Sequence, residues 1–199
     1  MENSINVIQR YLYESKIVSE AMSSNPDILV TINKIAHVCY KSILSGHKLL
    51  FAGNGGSAAE AQHMAGEYVS KFGFERKGIA GLALTTDTSI LTAIGNDYGY
   101  EEVFARQLDA LGNSGDVFFG YSTSGTSANI IRALEVCKEK KICSVLLTGE
   151  KVVYKDLPDF VLSVPSAVTW HIQEGHTIYG HLICSLVENL LFKRIEWKS

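Results

Sequence analysis

The chain has 199 residues, of which 46% are hydrophobic and 20% charged, a balance typical of one folded domain with a substantial core. Its formal net charge is −3 and it carries no block of lysine and arginine, which excludes the electrostatic footprint of a nucleic-acid-binding protein. The N-terminal stretch is polar with helical spacing, unlike a signal peptide, and the chain has no run of about 18 apolar residues. These features predict a cytoplasmic protein with no membrane partner.

The four cysteines, Cys39, Cys137, Cys143 and Cys184, are scattered along the chain. None of them forms the C-x-x-C spacing that indicates zinc or redox chemistry. We therefore expect reduced, mostly buried thiols.

Apolar periodicity predicts two amphipathic helices at the start of the chain, over residues 5–22 and 26–44. Short apolar strands and intervening helices follow: strands at 48–52, 79–84, 117–121, 142–147 and 160–164, and helices after the first strand and at 87–94, 100–111, 127–140 and 172–192. Continuous apolar strands that alternate with helices predict an α/β fold with a parallel sheet covered on both faces. We expect a single domain over residues 1–199, with 1–45 as a helical extension for oligomerisation and 46–195 as the sheet domain. The sheet, covered by its own helices, should not fully bury the apolar faces of the extension, which should pack against other copies of the chain.

The first strand runs into the glycine loop, Gly53-Asn54-Gly55-Gly56-Ser57-Ala58, ahead of a helix. Glycines allow a close backbone approach, and the N-terminus of the helix offers free N–H groups to an anion. The pattern Gly-x-Gly-x-x-Ala also fits a loose dinucleotide fingerprint, which requires an acidic residue about 20 residues later. Asp87 arrives roughly 30 residues later, so a sugar phosphate is favoured over a dinucleotide.

A second junction between strand and helix carries the serine loop, Ser122-Thr123-Ser124-Gly125-Thr126-Ser127. One hydroxyl would suffice to cap the helix, and the loop has five in six positions. This excess favours a neutral cage for a phosphate monoester over simple capping.

Candidate chemical groups lie on the helix after the glycine loop and on the last helix. His63 and Glu67 are four residues apart, so they share a helix face and are either a surface pair or a joint metal or substrate site. His181 lies in an apolar stretch, where a histidine is either a hydrogen-bonded core residue or a functional one. The spacing alone does not show whether Gln173 or Glu174 belongs to the same site as His181. Asn96-Asp97 is either a turn or a hydroxyl-binding pair.

Four segments in order resemble the SIS-domain family of sugar isomerases. They are Ala52-Gly-Asn-Gly-Gly-Ser-Ala-Ala-Glu-Ala-Gln-His63, Leu84-Thr-Thr-Asp-Thr-Ser-Ile-Leu-Thr-Ala-Ile-Gly-Asn-Asp97, Tyr121-Ser-Thr-Ser-Gly125 and Ile172-Gln-Glu-Gly-His176. The resemblance implies a five-stranded parallel sheet in a flavodoxin-like three-layer sandwich, and a homotetramer. Relatives commonly have an acid where this chain has Val168, which concerns substrate specificity.

The resemblance also implies a reaction and its residues. The implied enzyme interconverts sedoheptulose 7-phosphate and D-glycero-D-manno-heptose 7-phosphate through an enediol, for bacterial surface heptose in lipopolysaccharide or capsule. It implies Glu67 and His181 as catalytic groups, and one Zn²⁺ per subunit bound by His63, Glu67, Gln173 and His181. Substrate contacts would map to Asn54, Gly55, Gly56, Ser57, Asn96, Asp97, Ser122, Thr123, Ser124, Ser127 and Gln173.

Two questions accompany this assignment. Gln173 and His181 are eight residues apart, about 12 Å along a continuous helix, so either the helix begins after Gln173 or the ligands come from different chains. The alternative function within the same superfamily is a non-catalytic regulator that binds the replication initiator. That regulator lacks the catalytic pair, whereas Glu67 and His181 are both present here.

Overall fold

All five strands of the sheet run parallel in the computed structural model, which describes residues 4–193. The strands are β1 (Leu49–Gly53), β2 (Gly81–Ala83), β3 (Val117–Tyr121), β4 (Cys143–Thr148) and β5 (Phe160–Ser163). They lie in the order β2-β1-β3-β4-β5, and each neighbouring pair is parallel. The predicted α/β fold with a five-stranded parallel sheet is confirmed.

Seven α-helices surround the sheet: α1 (Ser4–Ser23), α2 (Pro26–Leu44), α3 (Gly56–Val69), α4 (Thr88–Asp97), α5 (Ala105–Leu111), α6 (Ala128–Lys140) and α7 (Thr169–Phe192). A short 3₁₀ turn over Tyr100–Glu102 precedes α5, so the helix predicted over 100–111 is divided in two. Within residues 4–193, no helix combines the length and the apolar character that crossing a membrane requires.

Two apolar clusters, one on each face of the sheet, explain why the strands read as continuous apolar runs. One cluster packs α2, α3 and α7 against the sheet and includes Ile35, Met64 and Ile183. The other packs α5 and α6 against the opposite face and includes Leu108 and Leu134. Every residue of β1 and β3 is buried, as expected for central parallel strands covered on both sides.

The two N-terminal helices differ in their packing. Asn25 is the N-cap residue of α2, and its side chain accepts hydrogen bonds from the N–H groups of Asp27 and Ile28. The apolar face of α2 packs in the core. Helix α1 buries only Met22 and leaves apolar side chains exposed. Helix α2 packs on the sheet yet leaves Leu29 and Val30 exposed, so the sheet does not fully bury the apolar residues of either helix, as expected.

Helices α3 and α7 lie side by side and run in the same direction. A glycine on α7 permits their close approach, since a Cβ on Gly180 would lie 2.3 Å from the Sδ of Met64. Helix α7 begins at Thr169 and is continuous, so Gln173 lies inside it. This rules out the first explanation for the spacing between Gln173 and His181, that the helix begins after Gln173.

Candidate active site

The glycine loop and the serine loop leave the carboxyl ends of two adjacent strands at the same level. Gly53, the last residue of β1, pairs with Tyr121, the last residue of β3. The side-chain amides of Asn54 and Asn129 then form two reciprocal hydrogen bonds, of 2.9 and 2.8 Å, which join the loops. The hydroxyl of Tyr100 donates to the same oxygen of Asn54 at 3.2 Å. The two loops predicted to hold phosphate thus form one continuous surface.

Hydroxyl groups in the serine loop bond to one another instead of capping the next helix. The hydroxyls of Ser122 and Ser127 are 2.8 Å apart, and the backbone N–H of Ser127 donates to the Ser122 hydroxyl at 3.3 Å. Ser127 is the N-cap residue of α6, yet within residues 4–193 its side chain accepts no capping hydrogen bond from the helix. Gly125 takes a φ of +68°, and a Cβ there would lie 2.7 Å from the Thr148 hydroxyl. The loop is tightly folded and leaves the start of α6 available to an anion.

The glycine loop has a similar arrangement at the start of α3. Gly55 is the N-cap residue with a φ of +56°, and within the described chain no side chain caps α3 there. A Cβ on Gly53 would lie 2.5 Å from the carbonyl oxygen of Ser57, so this position requires glycine. Asp87, the candidate acid of a dinucleotide site, instead accepts the N–H of Ile90 and caps α4. This use of Asp87 leaves the dinucleotide hypothesis without its acidic residue.

Three of the predicted catalytic and metal-binding residues meet where α3 faces α7. The Nε2 atoms of His63 and His181 are 2.9 Å apart, and the Oε1 of Glu67 lies 3.6 Å from the Nε2 of His63. One ligand atom from each of these three residues lies within 4.8 Å of the others. We call His63, Glu67 and His181 the trio. Because His181 is half-buried and faces His63, it is not a core histidine bonded to the backbone.

Gln173 lies apart from the trio. Its side-chain Nε2 is 2.6 Å from the point that a Cβ on Gly56 would occupy, at the first residue of α3. Gly56 precedes His63 by seven residues, about 10 Å along the helix. The structure therefore places Gln173 beside the predicted substrate residues Gly56 and Ser57.

A cleft of about 340 Å³ opens between the starts of α3 and α7. Its lining includes Gly56, Ser57 and Gln173, together with Glu60 and Tyr11. Glu60 accepts the hydroxyl of Thr177 on Oε2 at 2.8 Å, while its Oε1 is buried with no hydrogen-bond partner among residues 4–193. An unpartnered carboxylate oxygen beside a cleft is an acceptor available to a ligand hydroxyl.

Asn96 and Asp97 lie in the last turn of α4, where the amide of Asn96 donates to the carboxylate of Asp97 at 2.7 Å. Both side chains are exposed. The pair is therefore preformed, and its predicted role in binding hydroxyls stays a prediction.

Comparison with known proteins identifies the family. A family model described as the SIS domain matches residues 11–149. A phosphoheptose isomerase of Burkholderia pseudomallei is 53% identical over 194 residues, which are 96% of this chain and 98% of that protein. The chain belongs to the phosphoheptose isomerase family of SIS-domain proteins.

Other members of the family support the same assignment. The phosphoheptose isomerase of Aneurinibacillus thermoaerophilus is 53% identical, and the match covers 94% of each chain. The solved phosphoheptose isomerase of Francisella tularensis superposes with a TM-score of 0.88 at 31% identity, covering 94% of this chain and 99% of that chain. The corresponding enzyme of Neisseria gonorrhoeae gives a TM-score of 0.84 at 38% identity, covering 94% and 100%. The chain is accordingly an isomerase.

Sequence reasoning missed several residues of the site. Asn129 and Tyr100 act on Asn54 from elements distant in the chain, so no local pattern indicates them. Glu60 could have been found, because it lies one turn before His63 on the same helix and shares its face. His176 has a different role: burial lowers its pKa to about 4, and its Nε2 lies 3.2 Å from the carbonyl oxygen of Thr148.

Proposed function

We propose that this isomerase interconverts sedoheptulose 7-phosphate and D-glycero-D-manno-heptose 7-phosphate. The observation that carries the proposal is the trio: a carboxylate and two imidazoles converge beside a cleft and two phosphate-type loops. Named phosphoheptose isomerases at 53% identity over nearly the whole chain support the choice of substrate.

Glu67 and His181 are suited to the proton transfers of the reaction. Aldose–ketose interconversion moves a proton between C1 and C2 through an enediol, which requires one base at carbon and a second group at the oxygens. We assign the carbon-bound proton to Glu67 and the oxygen-bound protons to His181. The Oε1 of Glu67 faces His63 at 3.6 Å, so the other carboxylate oxygen can accept a proton. His181 can pass protons between two oxygens because an imidazole ring has one nitrogen that donates and one that accepts a proton.

The trio also fits a zinc ion. Two ligand atoms at about 2.0–2.1 Å from a tetrahedral zinc lie about 3.4 Å apart, close to the 2.9 and 3.6 Å separations within the trio. His63, Glu67 and His181 would hold the ion, which would polarise the substrate carbonyl when bound. Gln173 was predicted as a fourth ligand; its amide lies beside Gly56, where it can contact a substrate hydroxyl.

The two loops supply the phosphate site. Phosphate oxygens accept hydrogen bonds, so the hydroxyls of Thr123, Ser124 and Ser127 and the free N–H groups at the start of α6 are suitable donors. Both loops lie at the carboxyl edge of the sheet, where open α/β folds bind ligands. The reciprocal amide bonds of Asn54 and Asn129 hold the loops at a set distance before substrate arrives.

A second copy of the chain is the proposed partner of α1. Ile8 and Leu12 on this helix are 58% and 63% exposed, and a contiguous apolar stripe of this kind usually marks an interface. Tyr11, on the same helix, donates to Glu174 at 2.5 Å and lines the cleft. We propose a homotetramer in which α1 contributes to the contacts between copies, so that assembly and the cleft are linked.

The test is incubation of the purified protein with sedoheptulose 7-phosphate, followed by detection of the aldose product. Product formation that Glu67→Gln abolishes supports the proposal, and no turnover by the folded wild-type protein refutes it. We further propose that the product supplies heptose for a bacterial surface glycan. The regulator function gains no support, because Glu67 and His181, the proposed catalytic pair, are both present and lie close together.

A further inference from the structure

A buried ion pair lies directly behind the trio. Glu188 on α7 and Arg76, in the segment after α3, have side chains that are 2% and 1% exposed, and Arg76 Nε donates to Glu188 Oε1 at 2.6 Å. The Glu188 carboxylate also accepts the backbone N–H groups of Phe72 and Gly73, at 3.1 and 2.7 Å. Glu188 thus binds the segment over residues 72–76 at three points.

Arg76 connects this segment to the end of α3. Its Nη2 donates to the backbone carbonyl of Glu67 at 2.8 Å, one of the carbonyls that the end of a helix leaves unpaired. Its Nη1 donates to three further carbonyls, those of Tyr68, Ser70 and Lys77. The guanidinium therefore caps the helix at the residue that carries the predicted base.

Phe72 connects the same segment to His181. The two ring centroids are 5.3 Å apart, and the ring of His63 also contacts His181, with its centroid at 5.1 Å. The imidazole of His181 therefore contacts two other rings. Because Glu188 binds the backbone N–H of Phe72, the position of the phenyl ring depends on that carboxylate.

We infer that Phe72, Arg76 and Glu188 are positioning residues for the isomerase reaction, a statement that rests on the proposed roles of Glu67 and His181. Glu188 holds Phe72 against His181, and Arg76 caps α3 at Glu67, so one buried ion pair orients both proton-transfer groups. A buried ion pair is weak support for stability by itself, since desolvation offsets much of its attraction. The connection of this ion pair to both Glu67 and His181 explains why it lies where it does.

The decisive variant is Phe72→Leu, which removes the ring and leaves the ion pair intact. Loss of a residue that orients an active-site group typically lowers activity by roughly 10–100-fold. We expect kcat for sedoheptulose 7-phosphate to fall by roughly tenfold with KM unchanged. The matched control is Phe74→Leu in the same segment, whose ring contacts Phe192 and should leave kcat unchanged.

A second readout needs no turnover. In protein labelled with ¹⁵N-histidine and freed of metal by chelation, the ring nitrogens of His181, assigned with His181→Gln, report which nitrogen carries the proton. We expect one tautomer in the wild type and in Phe74→Leu, and a mixture in Phe72→Leu. Wild-type kcat together with a single tautomer in Phe72→Leu would overturn the inference. If the wild type has no turnover, the proposed function fails, and the tautomers alone then decide the positioning role.

A double variant tests whether Glu188 acts through Phe72. Glu188→Gln preserves shape and removes the charge that binds Arg76. If the carboxylate acts by holding the phenyl ring, Phe72→Leu with Glu188→Gln is no slower than Glu188→Gln alone. If the losses in kcat of the two single variants multiply in the double variant, the residues have independent roles. That result would contradict the proposal that Glu188 acts on His181 through Phe72. Should Glu188→Gln fail to fold, Phe72→Leu still decides the matter.

Discussion

The Nε2 atoms of His63 and His181 face each other at 2.9 Å, a separation suited both to a hydrogen bond between the two rings and to two ligands of one metal ion. The two residues are 118 positions apart in the chain. A metal ion would bind lone pairs on both nitrogens, whereas a hydrogen bond between them requires a proton on one. The same contact therefore serves both the metal and the acid–base hypotheses, and the variants below separate them.

Replacing the proposed acid–base groups should abolish most turnover. Glu67→Gln and His181→Gln retain side-chain polarity but remove proton transfer, and each should lower kcat by roughly 10²–10⁴-fold. The assay is conversion of sedoheptulose 7-phosphate, with Glu75→Gln as the control because Glu75 is an exposed carboxylate paired with Lys71. Near-normal kcat in both variants would remove this assignment.

Purified protein should contain zinc, up to one ion per chain, and chelation should lower its activity. Elemental analysis measures the metal, and His63→Ala should reduce its content because the trio loses an imidazole. Gln173→Ala should retain the metal and raise KM, since the Gln173 amide lies at Gly56. Chelator-insensitive turnover by zinc-free protein would leave a mechanism of side chains only.

Ser127→Ala should weaken substrate binding. A hydrogen bond to a charged group contributes roughly 1.5–3 kcal/mol, so KM should rise by about tenfold or more while kcat changes little. Ser89→Ala, in the first turn of α4, is the matched control on another helix. An unchanged KM in Ser127→Ala would contradict the phosphate assignment of the serine loop.

Charge on the exposed face of α1 should dissociate the assembly. The wild type should scatter light as a tetramer, about four times the 21.8 kDa chain. Leu12→Glu should yield smaller species with reduced activity, because burying an unpaired charge in an interface is strongly unfavourable. Val153→Glu, at a side chain of similar exposure away from α1, serves as the control. A fully active wild-type monomer would refute the proposed link between assembly and the cleft.

Acidification should destabilise the protein through His176. Burial lowers the pKa of His176 to about 4, whereas an unfolded histidine titrates near 6.5. Between these values only the unfolded state binds the proton, so the free energy of unfolding decreases as pH falls from about 6.5 to 4, by roughly 3 kcal/mol in total. Chemical denaturation at several pH values measures how the free energy of unfolding depends on pH. His176→Gln should reduce this dependence, and His37→Gln, at an exposed position, should leave it unchanged.

The periodic parts of the fold were accessible from the sequence. The strands ending at Gly53 and Tyr121 are buried on both faces, so their apolar runs identify them directly. The start of α7 was misplaced by three residues: it has Val168 as its N-cap residue and no side-chain cap within the described residues, so the usual signal was missing. Periodicity reveals the apolar face of α2 but not the surface that covers most of it, which in this fold is the sheet.

In the candidate site too, some residues could be found from local spacing and others only from the packing of helices. His63 and Glu67 share one helix, so their spacing alone brought them together. The contacts of His181 with His63 and Phe72 depend on how α3 packs against α7, which no local pattern specifies. The family resemblance provided His181, and the structure provided its neighbours.

Gly180 and Met64 adjoin the two histidines, one on each helix, and their contact sets how far apart the helices lie. A larger residue at 180 would need a smaller one at 64, because the two share a single volume in a close-packed interior. These positions should therefore tolerate change only together. Gly180→Ala alone should separate the imidazoles and slow turnover, and Met64→Ala should restore it by vacating the space that the new methyl group occupies.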